Sequence, residues 1–141
     1  MSGSVIDAAI VQAYIETEYR VFANPPFILR IGESSAELVA LHERHQVDCS
    51  AFVTACNPFS RPIDESVNRE RQVVLAEDLE AQGLVFVPGA GQHPSNRWPA
   101  EESLLVLGLD LDASRTLGVQ YQQNAIVWSG ADGIAQLILL R

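Results

Sequence analysis

Apolar residues return along this chain at two different periods. Over residues 5–19, Val5, Ile6, Ala9, Ile10, Ala13 and Tyr14 recur at helical spacing, the stripe that an amphipathic helix turns toward a core. Asn24-Pro25-Pro26 then breaks the chain, because proline fixes φ and lacks a backbone donor. Residues 27–31 (Phe-Ile-Leu-Arg-Ile) read as a strand that Gly32 ends. Ser34 or Ser35 is placed to cap a second helix through His45, with Ala36, Leu38, Val39 and Leu41 inward. Residues 49–56 make a second, largely buried strand, and Asn57-Pro58-Phe59-Ser60 turns the chain.

A long helix is predicted over residues 62–82. Ser60 or Arg61 precedes it, Pro62 sits in its first turn, Asp64 and Glu65 suit its positive end, and Gly83 stops it. Residues 84–87 form a third strand leading into a flexible Gly89-Ala90-Gly91-Gln92-His93 loop. Residues 102–107 form a fourth. Asp112 caps a short helix to Tyr121, and residues 124–128 and 134–140 are a hairpin across Ser129-Gly130-Ala131-Asp132-Gly133. Alternating helices and strands, followed by a strand-rich second half, predict an α+β or α/β domain spanning residues 1–141. Its mixed sheet should have about five or six strands, with about four helices packed on it.

Composition narrows the chemistry. The chain has 141 residues, 48% apolar and 19% charged, enough to bury a core as one domain. No apolar run approaches the roughly 20 residues of a membrane helix. Met1-Ser2-Gly3-Ser4-Val5-Ile6-Asp7 lacks a basic segment followed by an apolar one, so no secretion signal and a cytoplasmic address are expected. Cys49 and Cys56 are then expected as reduced core thiols. The net charge is −9, with no basic cluster beyond Arg69 and Arg71. Nucleic acid and anionic membrane are therefore poor partners. All basic residues are arginine. Schiff-base chemistry and the lysine of a phosphate-binding loop are excluded within this chain. Any anion must be held by arginine or backbone N–H groups.

Four constellations stand out, each with a plainer structural reading. Asn68, Arg71, Leu75 and Leu79 share one face of the long helix. The amide and guanidinium on that face point to a cavity or polar network, or to a margin where the helix leaves the core. Asn57 and Ser60 sit where a buried strand meets a helix start, a common ligand position. They equally suit an Asx-turn and a helix cap. Glu101 and Glu102 point oppositely on a strand, so one of them could face a pocket as an acid or base beside Trp98. An exposed edge with a packed tryptophan accounts for them too. His42 and His45 share a helix face, but Cys49 lies beyond its end, so no metal site is expected. His93 stands alone in its loop. Neither Gly-x-Ser-x-Gly nor Gly-x-Gly-x-x-Gly occurs.

Three segments taken together resemble a known pattern. They are residues 52–60 with Asn68 and Leu75 after them, Trp98 with Glu101-Glu102-Ser103, and Tyr121-Gln122-Gln123-Asn124-Ala125-Ile126. In order and spacing they resemble the bacterial family catalogued as domain of unknown function 3293, over residues 19–128. The resemblance implies no activity or cofactor. It implies which positions form the family pattern: Asn57, Ser60, Asn68, Trp98, Glu102, Ser103, Gln123 and Asn124. Where the family pattern has Phe-Gly, this chain has Tyr121-Gln122. The pattern is rich in amides, with a hydroxyl, a carboxylate and an aromatic, and this favours a pocket over pure packing.

The leading expectation is therefore a small-molecule pocket at strand ends for a polar, nucleotide-like ligand. Arg71 would hold an anion, and Asn57, Ser60, Asn68, Ser103, Gln123 and Asn124 would hydrogen-bond. Trp98 would stack, and Glu102 would bind a hydroxyl or act as a base. The alternative is a non-catalytic interaction module whose acidic surface meets a basic protein partner.

Overall fold

The computed structural model describes residues 4–141; Met1, Ser2 and Gly3, the start of the segment read for a secretion signal, lie outside the described residues. Four helices, α1 (Ala8–Glu16), α2 (Ala36–Arg44), α3 (Glu65–Ala81) and α4 (Leu111–Gln120), pack on one sheet. Its strands are β1 (Glu18–Val21), β2 (Phe27–Leu29), β3 (Ser50–Val53), β4 (Phe86–Gln92), β5 (Glu101–Leu107), β6 (Ala125–Ser129) and β7 (Gln136–Leu139). The sheet order is β2-β1-β4-β5-β3-β6-β7. Among the described residues, no helix is long and apolar enough to cross a membrane.

The fold is α+β, but the sheet has seven strands rather than five or six, and every ladder is antiparallel rather than mixed. Helix–strand alternation invites parallel neighbours, and the crossovers do join strands running the same way. β3 and β4 are linked through α3, and β5 and β6 through α4. In each case a third strand lies between the linked pair, β5 in the first and β3 in the second. Each crossover is split, so hydrogen-bonded neighbours are always opposed.

The extra strand is β1, taken in the sequence as the tail of a longer first helix. Helix α1 ends at Glu16, and Thr17 is already extended. From there Tyr19 and Val21 alternate inward, with Glu18 and Arg20 less buried. The expected loop at Gly89–Gln92 is also strand. It belongs to β4, paired with β1 and β5. Gly89 is needed there for close approach, since a Cβ would lie 2.3 Å from the Arg20 carbonyl oxygen and 2.9 Å from the Phe52 ring. Two caps also move. Asp64 caps α3 through the Ser66 N–H, and Asp110 rather than Asp112 caps α4 through the Ala113 N–H. Ser35 caps α2 through the Leu38 N–H at 3.1 Å.

The two sheet faces carry different layers. Ala51, Val53, Leu104, Val106 and Ile126 pack against Leu75 and Leu79 of α3 and Leu117 of α4. On the opposite face, Phe52, Leu105, Leu107 and Val127 pack against Leu38 and Leu41 of α2. Helix α1 covers the remaining end of this second face, and none of its residues is buried.

Candidate functional site

A hollow of about 320 Å³ lies between α1 and the sheet. Its origin is legible in side-chain size. Ala9 and Ala13 face it from α1, and Gly91, Ser103 and Ala125 from the strands. Small residues on both walls leave space that larger ones would fill. Ile10, Tyr19, Phe52, Val127 and Leu137 supply apolar surface. A second hollow of about 340 Å³ adjoins it, lined among others by Asn68, Arg69, Glu65 and Glu102. Asn57, Trp98 and Glu101 line both.

Those three side chains form one cluster. Asn57 Nδ2 donates to Glu101 Oε2 at 2.6 Å, and Trp98 Nε1 donates to the same oxygen at 3.1 Å. Asn57 is itself clamped. Its backbone N–H donates to Asn68 Oδ1 at 2.8 Å, and its Oδ1 accepts from Asn68 Nδ2 at 2.8 Å and from the Ile63 N–H at 3.2 Å. Burial pushes the Glu101 carboxyl above its ordinary range, against the pull of the two donors.

The turn carrying Asn57 is strained. Asn57, Phe59 and Ser60 have φ of +47°, +55° and +58°, a region that costs side chains other than glycine about 1–2 kcal/mol each. Neighbours hold it in place, for the Phe59 N–H donates to the Gln122 carbonyl at 2.7 Å. The Arg141 guanidinium lies 4.3 Å over the Phe59 ring. This geometry turns Ser60 toward α1, where its hydroxyl shares a short hydrogen bond with Tyr14 Oη. Asn124 Nδ2 donates to both oxygens, at 3.1 and 3.2 Å. Tyr19 Oη donates to the Tyr14 carbonyl at 2.6 Å. At the helix end, His93 Nε2 faces Glu16 Oε1 at 2.9 Å, and His93 Nδ1 accepts from the Ser95 and Asn96 N–H groups. The two N–H groups aimed at Nδ1 put the ring proton on Nε2. A ring of polar contacts thus ties α1 down around a hollow.

The residues singled out from sequence are distributed as follows. Asn57, Ser60, Trp98, Ser103 and Gln123 line the first hollow, and Asn68 and Glu102 the second. Gln123 Nε2 is spent on the Cys56 and Tyr121 carbonyls. Asn124 is in the polar ring but lines neither hollow. Arg71 lines neither as well. Its Nε donates to the Ala55 carbonyl at 2.6 Å and its Nη2 to the Tyr121 carbonyl at 2.7 Å, with Gln122 Oε1 at 3.3 Å from Nη1. It is a tie between strand ends and the α4–β6 turn. Gln122 has φ +59°, a left-handed conformation at the position where the sequence resemblance implied glycine.

Tyr14 is the residue that sequence reasoning missed, and of the Glu101–Glu102 pair, one of which was expected to face a pocket, it settled on Glu102 alone. Glu102 points to the α3 side, while Glu101 shares the phase of Ser103 and Leu105 and faces the first hollow. Leu104 to Leu107 are buried on both faces, so no alternation marked the phase. Tyr14 carried no signal beyond its place in a helical stripe. Among the described residues, no three His, Cys, Asp or Glu side chains are grouped to hold a metal. Burial pushes both free thiols, Cys49 and Cys56, above their ordinary range, which leaves them poor nucleophiles.

Comparison with curated proteins and with solved structures found no match. Residues 53–126, just over half of the chain, match the family model described as protein of unknown function (DUF3293). The matched span runs from the end of β3 into β6 and carries Asn57, Ser60, Asn68, Trp98, Glu101 and Gln123, so this chain belongs to that family.

Proposed function

We propose that this protein binds a small organic molecule in the hollow beneath α1. The carrying observation is the hollow itself, apolar inside and edged on one side by the Asn57–Glu101–Trp98 cluster. Its size lies at the lower end of the range for ligand pockets, about 300–1,000 Å³. Mostly apolar walls with a few converging polar groups are the usual makeup of such sites. The lining argues for an apolar body with a polar end rather than a nucleotide, since no arginine lines this hollow to take a phosphate. Strain in the Asn57–Ser60 turn supports the same reading, because such strain gathers at binding sites.

Filling the hollow tests the reading. Ala13→Phe and Ala125→Phe each project a ring into it from opposite walls. Saturation-transfer NMR with indole and toluene should show binding to the wild type and its loss in both variants, with circular dichroism confirming their fold. No transfer to the wild type, or transfer undiminished in two folded variants, would overturn the proposal.

A further inference from the structure

Glu101 is a partly buried carboxyl without a countercharge. Its strand phase aims it into the hollow beneath α1, and it is one of three side chains shared with the adjoining hollow. Both hydrogen bonds it accepts come from neutral donors, and both converge on Oε2. Among the described residues, no donor reaches Oε1. The described arginine–carboxylate pairs join Arg20 and Arg30 to Glu18, and His93 faces Glu16. Arg71 is consumed by carbonyls. Arg69 lines the neighbouring hollow but forms no ion pair with Glu101. A carboxylate taken out of water without a partner is costly, and folds pair such groups or keep them neutral.

We propose that the missing partner is the ligand: a molecule with an apolar body and a protonated amine, whose ammonium meets the free Oε1 of Glu101. This rests on the binding reading above and adds the chemical class. The apolar part lies against Phe52, Ile10 and Val127. The ammonium sits at the wall between the two hollows, where the Trp98 indole is fixed by its own bond to Glu101 and offers a π face. Glu65 and Glu102 across that wall outnumber Arg69, so the local charge also favours a cation. The raised proton affinity of Glu101 agrees with a carboxylate awaiting a cation, since an ammonium beside it would restore the charged form.

A matched series decides it: 4-phenylbutylamine, 4-phenylbutanol and 4-phenylbutanoate, titrated at pH 7 by calorimetry and by Trp98 fluorescence. The amine should bind at least tenfold more tightly than the alcohol, and the acid most weakly. Glu101→Gln, which keeps an acceptor for Asn57 and Trp98, should bring the amine to within about twofold of the alcohol. Trp128 lines neither hollow and bonds the Leu109 carbonyl, so Trp128→Phe isolates the Trp98 signal. Equal affinity for amine and alcohol overturns the amine class while leaving the hollow as a binding site. Tightest binding of the acid also overturns it, and points to a protonated Glu101 pairing with a carboxylate. No binding by any member overturns both readings. The wild-type series separates these outcomes even if the variant fails to fold.

Discussion

Helices α1 and α2 lie over the same face of the sheet, and each is nine residues long, yet they are held by different forces. Helix α2 buries Leu38, Leu41 and His42, with Leu38 fully inaccessible. Helix α1 buries nothing. Its inward face sets Ala9 and Ala13 beside Ile10 where that of α2 has Leu38 and Leu41, and the space left over is the hollow. Polar contacts at the rim fasten it instead, through Tyr14 to Ser60 and Asn124 and through Glu16 to His93. One end of this face is a core. The other is a lidded container, with the helix as the lid. The difference teaches that a helix can be specified by the sequence without being packed by the fold, and that the unpacked one roofs the hollow.

The sharpest way to break this comparison is to truncate both helices. Leu38→Ala should cost about 2–5 kcal/mol, the range for emptying a closed core position. Ile10→Ala on α1 should cost less than about 1 kcal/mol, because its side chain already borders open space. Urea denaturation of both variants measures the pair. Equal losses would mean that α1 is as much a part of the core as α2.

How much of this contrast could be read from residues alone depends on what each residue had to signal. The four helices were legible from apolar spacing and from Gly83, which stands at φ +74° where α3 ends. The inward face of α3 was legible too, since Leu75 and Leu79 are buried and Arg71 and Asn68 do enter polar networks. Strand β1 was not, because Tyr19 and Val21 overlap the tail of a helical stripe and only partners far along the chain reveal their pairing. The wholly antiparallel sheet was hidden for a similar reason, as no local signal reports that β5 lies between β3 and β4. At the site, the Asn57–Ser60 turn and Trp98 were recognisable as polar and aromatic groups at strand ends. Which of Glu101 and Glu102 faces the first hollow turned on strand phase within an unbroken apolar run. The hollow is written in Ala9, Ala13, Gly91 and Ala125, but small residues are silent until their opposite wall is known.

A milder change sharpens the comparison without touching the core. Tyr14→Phe removes the hydroxyl that Ser60 and Asn124 share and leaves the ring in place. A hydrogen bond of this kind contributes about 0.5–1.5 kcal/mol. The loss should fall on α1 alone. Native-state hydrogen exchange should show α1 amides less protected than those of α2 in the wild type, and roughly three- to tenfold faster still in the variant. Amides of α2 should be unchanged. Protection of α1 equal to that of the α2 core in the wild type would show that the rim contacts act as packing does.

The smallest effect separates the two ends by charge rather than by packing. Each end carries a titratable group that burial has shifted. His42 at the packed end is kept below its ordinary range by burial and has Ser50 Oγ at 2.8 Å from its Nε2. Glu101 at the open end is kept above its ordinary value of 4.5 by burial. A raised acid binds its proton more tightly in the fold than in the unfolded chain. Its contribution is therefore complete below about pH 4.5 and declines as pH rises through the folded value. Glu101→Gln has no proton to lose and escapes that decline. The melting temperature of the variant minus that of the wild type should thus be lowest near pH 4, grow as pH rises through the folded value of Glu101, and then level off. Glu16, Glu18 and Asp64, which are held below their ordinary range, titrate in both proteins and cancel from the difference. A gain in stability on removing a charge is the mark of a group retained for a task other than folding. A difference that stays flat with pH would instead mean that Glu101 is already compensated within the fold and has no charge left to offer a ligand.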